Sequence, residues 1–319
     1  MVRHHPLLPM AAAACGIATF SVMDAAMKAA AIDSGVFATL MWRGFVGAAM
    51  ASLLWAPQVW RQGWPPRGRI GLHLARSVVS TGMAFLFFWG LVRTPMAVAM
   101  ALSFFAPLIA LYLAAAFLGE SVTRRALLAS LIGLAGVVVI ALGRLHEPVA
   151  AGAGLSAWDS AMGIAAIFGS AMLYAGNLVM QRHQAQVASP AEITFFQGAF
   201  IGLLLSPGAL WLPAWPSAQA WPLVVAGAGL GTVSLLLLSW GWARAPAHRL
   251  LPVEYTGFLW AAAAGWLWFA EPVSGATLAG VGLILIGVWH GAGGRDHAGV
   301  DLGDGPPPTL APETEATAR

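Results

Sequence analysis

Charged side chains are scarce in this chain: Asp, Glu, Lys and Arg make up 9% of 319 residues, against 59% apolar ones, and the mean hydropathy is +0.76. That leaves too little polar surface to solvate a globular domain of this length, so the solvent of the folded chain is lipid. The single cysteine, Cys15, excludes an intrachain disulfide framework and, lying in an apolar run, reads as a packing residue. The eight histidines form no His-x-x-x-His or His-Cys arrangement able to hold a metal, so no metal or other cofactor is expected. A Gly-x-x-x-x-Gly-Lys-Ser/Thr loop is also missing, which excludes ATP hydrolysis by this chain. The formal charge of +3 and the pI of about 9.6 reflect arginines sorted by membrane topology rather than a nucleic-acid partner.

What the chain has instead is a series of apolar runs of roughly 18 to 23 residues, the length that crosses a bilayer core as a helix. They fall near 8–30, 36–56, 72–92, 97–118 and 124–143, then near 160–181, 192–212, 221–243, 248–269 and 273–291. Pro57, the Pro65-Pro66 pair, Pro207 and Pro213 are expected to mark loops. The segment 292–319, rich in Gly, Pro, Asp, Glu and Thr, is expected to be a disordered cytoplasmic tail. The first run is too long for a secretory signal core, and its removal would leave four helices in the first half against five in the second.

The two sets of five are copies. Trp89-Gly90-Leu91-Val92-Arg93-Thr94-Pro95 returns as Trp240-Gly241-Trp242-Ala243-Arg244-Ala245-Pro246, and the same offset carried forward without a gap pairs Glu120 with Glu271, Leu127 with Leu278 and Gly136 with Gly287. Duplicated membrane folds characteristically carry solutes. With a cytoplasmic N-terminus the inner loops and tails hold Arg3, Arg61, Arg67, Arg69, Arg76, Arg124, Arg125, Arg182, Arg244, Arg249, Arg295 and Arg319. The outside receives only Lys28, Arg93 and Arg144, and Arg43 stays within a helix. Both termini are then cytoplasmic, and because five is odd the halves insert in opposite directions. The expectation is an all-α polytopic membrane protein whose ten transmembrane helices form two inverted five-helix repeats, 1–145 and 155–291.

Phe117-Leu118-Gly119-Glu120-Ser121 through Gly133-Leu134-Ala135-Gly136, with Ala270-Glu271-Pro272 in the second copy, resembles the EamA domains of the drug/metabolite transporter superfamily over residues 8–291. The resemblance implies helices 1–4 and 6–9 around a central cavity, helices 5 and 10 packed aside, and transport of small metabolites across the bacterial inner membrane. It names no substrate. Ser21 to Lys28 followed by Trp42-Arg43-Gly44 is similar to a subgroup that includes riboflavin-type, S-adenosylmethionine-type and carboxylate-type carriers.

The few intramembrane polar residues are the candidate site. Asp24 and Lys28, four apart on helix 1, share a face and are placed to pair; Arg43 lies about two turns into helix 2. Together they form either a cationic vestibule for a carboxylate or phosphate, or an ion-paired tether of helices 1 and 2 with Lys28 reaching towards the headgroups. Glu254, between Pro252 and Tyr255 on helix 9, corresponds to Ser103 on helix 4 beside Phe104. It either takes up a proton or contacts a cationic substrate, or else pairs with Arg249 or His248. Tyr174, Asn177 and Gln181 make one polar stripe on helix 6, and Gln197 adds an amide on helix 7; these bind solute or bond other helices. Gly133 and Gly136 on helix 5, and Gly287 and Gly291 on helix 10, permit close contact within the chain or in a homodimer.

The reading is therefore of a secondary transporter in the lipid bilayer moving a small-molecule metabolite by alternating access, driven by protons or by exchange. A membrane enzyme acting on a lipid-linked substrate, with Glu120 and Glu271 as acids, would need those carboxylates to converge, and the inverted topology sets them on opposite sides. A non-transporting partner subunit would leave the cavity charges without a purpose. Cysteines introduced at Ser121 and Ser274 should label with an impermeant maleimide from opposite membrane faces; labelling of both from one face would refute the inverted repeat.

Overall fold

The computed structural model describes residues 7–106, 109, 124–146, 156–244, 253 and 256–292. These residues form α1 (Leu7–Ser34), α2 (Val36–Gln62), α3 (Arg67–Leu91), α4 (Met96–Ser103), α5 (Arg124–His146), α6 (Ala157–Val187), α7 (Pro190–Leu205), α8 (Ala220–Trp242), α9 (Thr256–Phe269) and α10 (Gly275–Ala292), in the order of the ten apolar runs. A 3-10 turn, Ser206–Leu210, extends α7, and there is no strand among the described residues. Six elements are long and apolar enough to cross a membrane, α1, α2, α3, α6, α8 and α7 with its 3-10 turn, while α5 and α10 contain shorter apolar stretches.

Local chemistry sets several of the ends. Ser156 and Asp159 form a reciprocal capping box that starts α6, and Ser189 caps α7 ahead of Pro190 at its first position. Gly35, at φ 82°, turns α1 directly into α2 with no linker. Pro57 does not mark a loop as expected: α2 runs through it to Gln62, because the ring removes a single intrahelical N–H bond and that loss is tolerated near a helix end. The repeated Trp-Gly-x-x-Arg phrase closes α3 and α8 in the same way. Arg93 lies over the Trp89 ring at 3.6 Å and donates to its carbonyl, and Arg244 lies over Trp240 at 4.4 Å and donates likewise.

The helices pack mainly in pairs drawn from the two halves, α1 on α8, α3 on α6, α2 on α7 and α5 on α10, while α4 packs on α9, which also packs on α1. Small residues make the closest of these possible. A Cβ at Gly136 would sit 2.5 Å from the Gly280 carbonyl, and one at Gly44 would sit 2.8 Å from that of Gly198, so side chains there would force α5 from α10 and α2 from α7. Gly136 thus serves internal packing, and its counterpart on α10 is Gly280.

The apolar distribution is that of a protein dissolved in lipid. Leu53, Trp60, Leu131, Val179, Trp266 and Trp289 point outward, whereas Asp24, Lys28, His73, Arg76, Asn177 and Glu192 are buried. Between them lies an apolar core built on Met23, Met27, Leu40, Phe88, Leu102 and Ile167.

Candidate functional site

Eight helices, all except α5 and α10, surround a cavity of about 230 Å³. Its walls are largely apolar, with Phe20, Met83, Phe87, Phe88, Met100 and Phe104 among them. The polar groups reach it from separate elements: Asp24 from α1, Arg43 from α2, Arg76 and Ser80 from α3, Ser103 from α4, Tyr174, Asn177 and Gln181 from α6, and Gln197 from α7. The predicted positions Asp24, Arg43, Ser103, Phe104, Tyr174, Asn177, Gln181 and Gln197 therefore converge on one space. Glu254 and Tyr255, like Glu120, lie outside the described residues.

Arg76 is the group that sequence reading misplaced. The arginine distribution sets it among the loop arginines, yet it lies inside α3, is 2% exposed and faces the cavity. Its Nε donates to Asn177 Oδ1 (3.1 Å), Nη1 to Gln184 Oε1 (2.5 Å) and Nη2 to Gln181 Oε1 (3.3 Å), while the Ser80 hydroxyl donates to the same Asn177 oxygen (3.0 Å). Residues 177, 181 and 184 fall at steps of four and three, so one face of α6 presents three amide oxygens to a single guanidinium. Amides solvate the cation without neutralising it, and no ion pair of Arg76 occurs among the described residues. Asn177 and Gln181 of the polar stripe, joined by Gln184, thus form a cradle for Arg76. The signal that could have revealed it was the surplus of amides on one apolar helix face, which demands a donor-rich partner.

Arg43 and Asp24 complete the charged wall without forming an ion pair with each other, so of the two readings of these charges the ion-paired tether of helices 1 and 2 is not the arrangement observed. Arg43 Nη1 lies 3.9 Å from Met23 Sδ. Four buried atoms on cavity residues, Arg43 Nε, Asp24 Oδ1, Gln197 Oε1 and Ser21 Oγ, have no hydrogen-bond partner among the described residues. Unpaired polar atoms are costly in a low-dielectric interior and, clustered on one wall, are suited to a polar solute or to water. Ser103 differs, because its hydroxyl is spent on the Ala99 carbonyl of its own helix at 2.9 Å.

Lys28 does not belong to this wall. Its ion pair is with Glu271 in the α9–α10 connection, and its Nζ also donates to the Thr94 carbonyl (2.9 Å) and lies 4.9 Å from the centre of the Phe269 ring. The other oxygen of Glu271 accepts from the Met96 N–H at 2.8 Å, capping α4. Lys28 is 3% exposed, so instead of reaching headgroups it ties α1 to the start of α4 and the end of α9. With Lys28 neutralised elsewhere, the described cavity residues hold two guanidinium groups, Arg43 and Arg76, against one carboxylate, Asp24.

The sequence model of the EamA-like transporter family matches residues 7–142 and 161–290. The chain belongs to that family. It is also similar to the pseudopaline exporter CntI of Pseudomonas aeruginosa, in strains UCBPP-PA14 and PAO1, with 27% identity over 280 residues that cover 84% of this chain and 90% of the exporter. A protein crystal structure with 22% identity shares the fold at a TM-score of 0.58, covering 88% of this chain and 97% of its own. Family and relative together point to a membrane transporter rather than an enzyme.

The Lys28–Glu271 pair is a test of how the α3–α4 and α9–α10 connections are held. Glu271→Gln strands a buried ammonium and should cost about 3 kcal/mol or more, read as a lower midpoint of thermal unfolding in detergent. The double substitution Lys28→Met with Glu271→Gln should recover much of that loss; a single substitution without effect would show that the pair does not support the fold.

Proposed function

We propose that this chain is a secondary transporter for a small organic anion with an apolar portion, working by alternating access in the bacterial inner membrane with both termini cytoplasmic. The observation that carries the proposal is the pair Arg43 and Arg76, set, among the described residues, against the one carboxylate of Asp24 on the wall of a cavity lined largely by apolar side chains such as Phe and Met. A planar guanidinium already fixed by three amides can offer two parallel N–H groups to a carboxylate or phosphate, and the aromatic walls take the hydrocarbon part of the solute. The likeness to a pseudopaline exporter supports transport of a small molecule. With no ATP-binding loop, the energy comes from an ion gradient or from exchange.

The alternating-access part rests on the inverted repeat. Under exchange of the two halves the α1–α8 contact becomes α6–α3, and α2–α7, α4–α9 and α5–α10 each map onto themselves, which is the pairing a twofold relation between the halves produces; the distribution of arginines favours setting that axis in the membrane plane. The recurrence of the Trp–Arg closure at the ends of α3 and α8 supports the same reading.

Proteoliposomes offered a mixed metabolite pool and analysed by mass spectrometry should accumulate acidic solutes. Arg76→Met and Arg43→Ala should each abolish accumulation at matched protein level, and Arg43→Lys should raise the apparent KM roughly tenfold, the equivalent of one charge-assisted hydrogen bond. Accumulation of neutral or cationic solutes instead, or full activity in Arg76→Met, would overturn the proposal.

A further inference from the structure

A second polar cluster lies directly behind the cavity wall and is not used by the transport reading. Gln184 of α6, whose carbonyl oxygen accepts from Arg76, turns its amide nitrogen to His73 Nδ1, and His73 Nε2 lies 3.0 Å from Glu192 Oε1 of α7. Glu192 in turn meets Arg69 Nη1 at 3.3 Å. The chain Arg76–Gln184–His73–Glu192–Arg69 thus runs from the cavity to a partly exposed arginine at the start of α3. His73 is 1% exposed and stacked on Phe196, with ring centres 4.7 Å apart at 12°. The charged groups facing it are Glu192 from α7 and Arg69 and Arg76 from its own helix, while α6 contributes the neutral Gln184.

Donor and acceptor capacity fixes the state of this chain. A guanidinium only donates, so Gln184 must give its oxygen to Arg76, which leaves its NH₂ facing His73. Nδ1 is then an acceptor and carries no proton, and the proton of the neutral imidazole sits on Nε2, donated to the Glu192 carboxylate. Adding a proton at Nδ1 sets N–H against N–H. The amide must then turn over to offer its oxygen to Nδ1–H, and its NH₂ now faces the guanidinium, again donor against donor. Gln184 therefore serves His73 in its protonated form or Arg76, never both.

We propose that His73 is a proton-binding site linked to the anion site, with Gln184 as the two-position element between them. The proposal rests on the anion-transport reading of the cavity and adds its coupling group. Protonation of His73, supported by Glu192 on the far side of the ring, withdraws Gln184 from Arg76 and frees a guanidinium N–H for the solute. By reciprocity, an anion that draws Arg76 away lets Gln184 turn and favours the proton on His73. Proton and anion then bind together and cross in the same step.

The test is the affinity of purified protein in lipid nanodiscs for 4-fluorobenzoate, an amphipathic anion ionised over the whole range used, followed by ¹⁹F NMR between about pH 5.5 and 8. In the wild type the affinity should rise about tenfold on acidification, a typical coupling between linked sites. It should be nearly flat in Gln184→Met, which removes the amide without changing charge, and in His73→Gln. A flat wild-type profile overturns the inference even if neither variant folds. A wild-type slope retained in both variants also overturns it, because the slope then belongs to another group such as Asp24 or Glu254. Absence of binding at every pH overturns the anion cavity together with the linkage, whereas binding with one shared profile overturns the linkage alone.

Discussion

A guanidinium buried in a lipid-facing protein must be solvated by the protein itself, and the way Arg76 is solvated organises much of this structure. Its cradle needs three amides at helical spacing on α6, it needs α3 and α6 packed along one another, and it needs a face where the cation still meets open space. A carboxylate partner would have satisfied the charge more simply and would have cancelled it. Amides hold the cation in place and leave its field directed into the cavity.

The contrast with Lys28 shows the alternative. There a buried cation is matched by Glu271, a backbone carbonyl and an aromatic ring, and the result is a joint between α1, the start of α4 and the α9–α10 connection. The two sites differ in what their charges meet: one set is paired between elements, and the other faces the cavity. Glycine contacts such as Gly136 with Gly280 and Gly44 with Gly198 bring helix backbones close enough for the remaining space to concentrate in the centre.

The ten helices were legible because lipid imposes a strong length and composition rule, and the described helices follow the apolar runs in order. Asp24, Arg43 and the stripe Tyr174, Asn177 and Gln181 were legible for the same reason, since polar groups stand out against such a background. Arg76 was hidden by its neighbours: Arg67 and Arg69 begin the same helix, and a third arginine soon after them reads as part of a cytoplasmic basic cluster. His73 and Glu192, 119 residues apart, carry no local pattern that joins them. The partner of Lys28 is 243 residues away, so i to i+4 spacing favoured Asp24 where tertiary packing supplies Glu271. Pro57 misled because loss of one hydrogen bond near a helix end is a weaker signal than proline composition suggests.

The central claim is that the charge excess on the cavity wall selects an anion. It is tested most directly by replacing Ser80, which lines the cavity beside Arg76 and Asn177, with cysteine in a Cys15→Ser background and measuring its alkylation by a small maleimide in membranes. Benzoate, benzamide and benzylamine have nearly the same size and differ in charge. The account predicts that benzoate slows alkylation and that the other two, at the same concentration, leave it unchanged. Equal protection by all three, or protection by benzylamine alone, would contradict it.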